Sequence, residues 1–253
     1  MFGFVGAGAL TTAVVEGLSA GVAEPPPILL SPRGREVGRE LAGRYPNVRV
    51  CSSNQDVVRD ATTIVLAVRP QLAAEVMAEL SFRPGQAVLS AMAGVRLEQL
   101  RDWGAPAGRV ARVIPLPAAA RRRSLTVLYP DVDAGRALFD RVGEVLVPGA
   151  ERTLDAFSTA TATFAAHLDY LATIVDWLTD QGVDPGAAAA YTTRIFGQLG
   201  ESLTGHTGTL AELTAEYMTP GGINEQVMAD LRGEGVPGSV RRALDRVMGR
   251  LRG

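Results

Sequence analysis

An apolar run, Phe2 to Val5, ends on Gly6-Ala7-Gly8 and passes at once into helical spacing at Leu10, Val14 and Leu18. A strand, a tight turn and a helix in that order admit few folds. The strand must enter a sheet and the helix must return along its face, which opens a parallel βαβ unit. Gly6 lets the strand turn sharply, and Gly8 lets the backbone approach a ligand with no Cβ in the way. The helix start points its free N–H groups at the same spot, an arrangement suited to a pyrophosphate. Thr11 stands where the fingerprint G-x-G-x-x-G has its third glycine, so the flanking strand and helix give the motif its meaning. The plain alternative is a βα turn that happens to contain two glycines.

The alternation continues. Apolar strands are expected at 28–30, 48–51, 63–68, 87–90, 109–114 and 125–129. Helical spacing recurs through Val37, Leu41 and Arg44, and Ser53 is placed to cap another helix. The implied fold is α/β, with a Rossmann-type, mostly parallel, doubly wound sheet. The character changes near Pro148-Gly149, after which no strand is expected. Residues 154–178 read as one long helix. Asp184-Pro185 opens an alanine-rich helix that runs to about Leu203. Thr209 and Glu212 fit a capping box. Thr219-Pro220-Gly221-Gly222 precedes a helix with Ile223, Val227 and Leu231 on one face, and Ser239 is expected to cap the last helix. The expected domains are 1–150, a nucleotide-binding sheet, and 151–253, an all-helical part. The helices of the second part are apolar over too much of their surface for a small bundle alone, so a homodimer or a multiple of dimers is expected.

Of the 253 residues 47% are apolar, enough to fill a core, and the formal net charge of -2 offers no basic field for nucleic acid or an acidic membrane surface. Cys51 is the single cysteine, so no internal disulfide can form. The start has no basic region followed by an apolar segment, and no apolar run is long enough to span a bilayer, so a cytoplasmic protein is expected. No metal site is expected. The chain contains no lysine. Schiff-base chemistry and a lysine acid or base are thereby excluded, because arginine stays protonated.

Ligands of a doubly wound sheet bind beyond the carboxyl ends of its strands. Those ends are 6–8, 31–33, 68–71, 91–94 and 114–117. NAD-binding sites carry an acidic residue at the second of them; here Ser31 and Arg33 stand there. A hydroxyl and a guanidinium suit a 2′-phosphate, so NADPH is expected in preference to NADH. The alternative for Arg33 is an ordinary solvated loop arginine.

Together these segments resemble the pyrroline-5-carboxylate reductase family. Phe4-Val-Gly-Ala-Gly-Ala-Leu10 is similar to its N-terminal cofactor loop, and Leu66-Ala-Val-Arg-Pro-Gln71 to its L-A-V-K-P-Q segment. Ala91-Met-Ala-Gly-Val95 resembles its A-A-G-V turn, Arg112-Val-Ile-Pro115 its R-V-M-P, and Thr219-Pro-Gly-Gly222 its S/T-P-G-G loop. The resemblance implies a Rossmann domain, a helical dimerisation domain, and hydride transfer from NAD(P)H to a cyclic imine, as in proline biosynthesis. It implies cofactor contacts from Gly6, Gly8, Ala9, Leu10, Ala67, Val68, Arg69 and Pro70. It places Asn54 by the adenosine 2′-phosphate and Met92, Ala93 and Gly94 on the nicotinamide side.

The substrate half departs from the family pattern. Leu116 replaces an asparagine after R-V-M-P, Ala162-Thr-Phe-Ala-Ala166 replaces G-S-G-P-A, and Ile223-Asn224 replaces two hydroxyl residues. Asn224 and Thr219 are the catalytic candidates, Asn224 toward the imine nitrogen. Gly221 and Gly222 are expected to hold a substrate carboxylate at the helix start. Ile223 and Leu116 are expected as apolar walls and His167 as a further substrate contact. Glu225 is either a charge beside the site or simple compensation of the helix dipole. A cyclic imine other than pyrroline-5-carboxylate is the expected substrate. Two other readings compete: a β-hydroxyacid dehydrogenase, whose chemistry usually relies on a lysine, and a non-catalytic NADP-binding sensor or interaction protein.

Overall fold

The computed structural model describes residues 1–252; Gly253, the end of the expected helical half, lies outside the described residues. Buried β-rich segments alternate with amphipathic ones from the first residue onward. In chain order they form β1 (Phe2–Val5), α1 (Ala9–Ser19), β2 (Ile28–Leu30), α2 (Arg35–Arg44), β3 (Val48–Val50), α3 (Asn54–Asp60) and β4 (Thr63–Leu66). After a 3-10 turn at Pro70–Leu72 come α4 (Ala73–Ala78), β5 (Ala87–Ser90), α5 (Leu97–Gly104) and β6 (Arg109–Ile114). A second 3-10 turn, Pro117–Arg121, leads to β7 (Ser124–Tyr129), α6 (Asp133–Phe139) and β8 (Gly143–Leu146).

The eight strands form one sheet in the order β3-β2-β1-β4-β5-β6-β7-β8. From β3 to β6 every pairing is parallel, with Phe2 opposite both Ile28 and Thr63. The strand order reverses between β1 and β4, the point where such sheets bind nucleotides. Every residue of β1, β4 and β5 is buried, as parallel strands covered on both faces must be. One core joins Phe4 and Leu30 to Val14 and Leu18 of α1, Leu41 of α2 and Phe139 of α6. The other joins Val5 and Leu66 to Val57 of α3, Met77 of α4 and Leu100 of α5. β7 runs antiparallel to β6, with Val113 opposite Leu128. The short 3-10 turn between them is too brief for the crossover a parallel return needs. The α6 crossover then brings β8 in parallel to β7.

The chain divides into two compact units. The first takes in Met1–Ser158 and the last described residues, Leu251 and Arg252. It extends past residue 150 into α7 (Arg152–Thr161). The buried guanidinium of Arg112 in β6 holds that segment, pairing with Glu151 at 3.0 Å and with Asp155 at 2.9 Å. Glu151 also accepts the Leu97 N–H at 2.7 Å.

The second unit, Thr159–Arg250, is helical. It contains α8 (Thr163–Asp180), α9 (Pro185–Gly205), α10 (Leu210–Glu216), α11 (Ile223–Gly233) and α12, which as a helix spans Val236–Arg252. The single helix expected over 154–178 is two, α7 and α8, broken at Ala162. There the Thr163 hydroxyl donates to the Ala160 carbonyl at 2.7 Å, competing for the helical ladder. The Asp184 carboxylate caps α9 through Ala187 N–H at 3.0 Å, with Pro185 in the first turn where its missing N–H costs nothing. Thr209 and Glu212 form the capping box of α10. Ser239 lies inside α12 and does not cap it. The turn comes earlier, at Gly235 (φ +76°), and Pro237 is accommodated in the first turn. The unit buries little of itself, chiefly Ala188, Thr192 and Leu213, whereas Leu168 is 65% exposed, Trp177 60% and Tyr191 63%. Among the described residues no helix is long and apolar enough to cross a membrane.

Candidate active site

The cofactor candidates gather along the carboxyl edge of the parallel strands. Gly6 has φ +107°, and a Cβ there would lie 2.5 Å from the Ala67 carbonyl oxygen, so only glycine lets the β1 turn pass the segment after β4. Thr11, at the place of the third fingerprint glycine, is buried and donates its hydroxyl to the Gly6 carbonyl at 2.7 Å. It closes the turn from inside, which a third glycine does not do. Gly8 caps α1, and nothing lies within 4 Å of where its Cβ would stand. This open space, faced by the first N–H groups of an eleven-residue helix starting at Ala9 and Leu10, fits a diphosphate.

Ser31 has a different role from the one expected. It is 1% exposed, and its Oγ accepts the Gly6 N–H at 2.9 Å. β2 lies directly beside β1, so the hydroxyl meets the turn's own backbone and acts as a strut. Gly34 (φ +86°) belongs to the same support, since a Cβ there would lie 2.6 Å from the Ala7 carbonyl oxygen. Arg33 is exposed and has no hydrogen-bond or ion-pair partner among the described residues. Arg35, at the start of α2, is equally exposed and adds a second cation that the sequence reading did not single out. Its spacing from Arg33 on the same loop was the available signal.

Asn54 opens α3, half-buried, behind the Ser53 cap whose Oγ accepts the Asp56 N–H at 3.0 Å. The Ser53 hydroxyl and the Arg59 guanidinium hold the Asp56 carboxyl below the usual carboxylate range. Burial pushes the Cys51 thiol up. Ala67 and Val68 are half-buried, and Arg69 and Pro70 are exposed at the following 3-10 turn. After β5, Met92 is buried with its N–H on Ser90 Oγ at 3.3 Å, Ala93 is exposed, and Gly94 turns at φ +79°. Leu116 follows β6 on the same edge, half-buried, its N–H donating to Ser124 Oγ at 3.0 Å.

The second unit groups Thr219, Gly221, Gly222, Ile223 and Asn224 in the loop that enters α11. Both N–H groups expected to hold a substrate carboxylate are already bonded within this loop. Gly222 N–H donates to the Thr219 carbonyl at 2.8 Å, closing a turn through Gly221 (φ +71°). Gly221 N–H donates to Glu225 Oε2 at 2.7 Å. The sequence left Glu225 open between a charge beside the site and dipole compensation, because the loop's path decides which N–H it reaches. Asn224 donates its Nδ2 to the Tyr217 carbonyl at 2.9 Å. A carbonyl only accepts, so the amide nitrogen is fixed toward Tyr217 and Oδ1 is the open end. Ile223 is 82% exposed. His167 is elsewhere in the unit. It stacks on Tyr170 and meets Phe196 edge-on, both at 6.3 Å, and lines an open apolar groove of about 980 Å³ between α8 and α12 with Phe164, Leu168, Val240 and Leu244. None of residues 219–224 lines that groove.

Residues 1–94 match the family described as NADP oxidoreductase coenzyme F420-dependent. The pyrroline-5-carboxylate reductase of Pseudomonas aeruginosa is 27% identical over 252 residues, covering 96% of this chain and 92% of that protein. The structure of 1-pyrroline-5-carboxylate reductase from Streptococcus pyogenes superposes with a TM-score of 0.84 at 21% identity, covering 99% and 97% of the two chains. That of Plasmodium falciparum pyrroline carboxylate reductase with NADP bound gives 0.79 at 15% identity, covering 99% and 96%. Along nearly its whole length the chain is similar in sequence to pyrroline-5-carboxylate reductases, and it shares their fold.

Proposed function

We propose that the protein reduces a cyclic imine to the cyclic amine with NADPH, as a cytoplasmic homodimer. The observation that carries this reading is the open glycine turn at the β1/β4 switch point, in a chain that aligns over 96% of its length with a pyrroline-5-carboxylate reductase. NADPH, when bound, supplies the hydride. The chain's own residues bind and orient. The turn from Gly6 to Leu10 takes the diphosphate, Arg33 and Arg35 the 2′-phosphate, and Asn54 the adenosine side. Ala67 to Pro70 contact the cofactor, and Met92 to Gly94 border its nicotinamide half.

An imine is most electrophilic when protonated, and no lysine is present to donate the proton. In this reading the substrate enters as the iminium, already carrying its proton. The open Oδ1 of Asn224 accepts its N–H, with the Thr219 hydroxyl beside it and Ile223 as an apolar wall. In the dimer the second copy covers the exposed apolar faces of the helical unit, the groove containing His167 among them.

The test is steady-state NADPH oxidation with a panel of cyclic imines that differ in ring size and substituents. Turnover of at least one is expected. Tight NADPH binding with no turnover of any ring overturns the enzyme reading and favours a cofactor-binding sensor.

A further inference from the structure

We infer that Glu225 turns the substrate site against rings that carry a carboxylate beside the nitrogen, so that the imine this protein reduces lacks that group. The inference rests on the imine-reductase reading and deepens it by naming the substrate class.

The argument starts from where the loop's donors go. A carboxylate bound at a helix start needs N–H groups that the protein has left without partners. The first-turn N–H groups of Ile223, Asn224 and Glu225 are the ordinary free ones of a helix start, but both donors of the glycine turn ahead of them are taken, the Gly222 N–H by the Thr219 carbonyl and the Gly221 N–H by Glu225 Oε2 at 2.7 Å. The chain has thus placed a carboxylate of its own on the loop. The bond is not the ordinary capping box, in which the glutamate takes the N–H of the capping residue itself, as Glu212 does with Thr209. Gly222 is the cap of α11, and Glu225 reaches one residue further back, into the glycine turn. It occupies the donor and also sets a negative charge there.

That charge acts on two kinds of ligand in opposite senses. A second carboxylate must displace Glu225 from its N–H or sit beside a like charge, and either is costly. A cation is favoured. Next to Glu225, Asn224 turns an acceptor oxygen outward, because its Nδ2 is held by the Tyr217 carbonyl. The first turn of α11 therefore presents an amide oxygen and a carboxylate, both of which suit an iminium. Ile223, 82% exposed, adds an apolar surface where a hydroxyl would have served a polar substituent. All three point to a positively charged, otherwise apolar ring.

The experiment compares 1-pyrroline with 1-pyrroline-5-carboxylate, which differ by the carboxylate alone. In the unmodified protein kcat/KM for 1-pyrroline is expected to be on the order of a hundredfold higher, the range of one charge-assisted pairing gained or lost. Glu225→Gln keeps an acceptor for Gly221 and removes the charge; Glu225→Ala also frees the donor. Both should narrow the ratio, Glu225→Ala by about tenfold or more, through a lower KM for the carboxylate-bearing ring. Calorimetry with pyrrolidine and proline on the NADP-loaded protein reads the same preference without turnover. The unmodified protein should bind pyrrolidine, and Glu225→Ala should gain affinity for proline. A preference of the unmodified protein for the carboxylate-bearing ring, equal use of both rings, or a ratio unmoved in both variants overturns the inference while imine reduction stands. Failure to reduce or bind either ring, with NADPH still bound, overturns imine reduction and this inference together.

Discussion

Gly6, Ser31 and Arg33 sit within one corner of the sheet and carry separate duties. Gly6 is fixed by the Ala67 carbonyl, Ser31 holds the Gly6 N–H, and Arg33 stands free above them. Arg33→Ala should therefore weaken NADPH binding about ten- to a hundredfold and leave NADH nearly unchanged, the size of one charge-assisted contact. A fluorescence titration with both cofactors checks this, and equal losses would remove Arg33 from phosphate recognition. Ser31→Ala should behave differently. It strips a partner from a part-buried N–H, at a cost of roughly 1–3 kcal/mol in denaturant unfolding, and should weaken both cofactors alike. The position of Arg33 after β2 was legible in the sequence, because the motif and the missing acid identify the loop. The duty of Ser31 was not, since a hydroxyl's choice between ligand and backbone depends on the spacing of β1 and β2. The choice between the two roles of Glu225 stayed open for a similar reason: a path of backbone through Gly221 decides which N–H it reaches.

Strands and helix starts were the most readable parts, because they rest on local pattern. Continuous apolar runs gave the buried strands β1, β4 and β5, and Ser53, Asp184 and the Thr209–Glu212 box cap the helices as their side chains require. β8 escaped notice because an edge strand such as Gly143–Leu146 is half-buried and lacks the continuous apolar signature. The antiparallel entry of β7 and the break at Ala162 depend on connection length and on threonine hydroxyls, which periodicity does not register. The α10 box supports a pH prediction. The Thr209 N–H and hydroxyl hold the Glu212 carboxyl below its ordinary range. A lowered folded value means that the box's contribution is complete above the unfolded glutamate value of about 4.3 and is lost as pH falls through the lowered one. NMR shifts of α10 should report fraying over that acid window in the unmodified protein. In Glu212→Gln the shifts should not change with pH over the same window, and an identical titration in the variant would assign the effect to another group.

The two compact units differ in how much they enclose. The first buries both faces of its sheet, while the second leaves Leu168, Trp177, Tyr191 and Val240 largely in solvent. A surface of that kind is stable when a second copy covers it. Sedimentation at low micromolar concentration should give a dimer or a multiple of it, and Trp177→Asp should shift the population to monomer and lower the unfolding temperature. A compact, active monomer would rule out the homodimer. For the unmodified protein the midpoint of thermal unfolding should rise with protein concentration, since assembly stabilises only the folded partner. The thin interior of the helical unit then has a cellular meaning. A newly made chain without a partner presents proteases with helices that nothing shields, so a smaller share survives when few copies are made. For such a homodimer abundance would be self-reinforcing: halving synthesis should remove more than half of the folded protein.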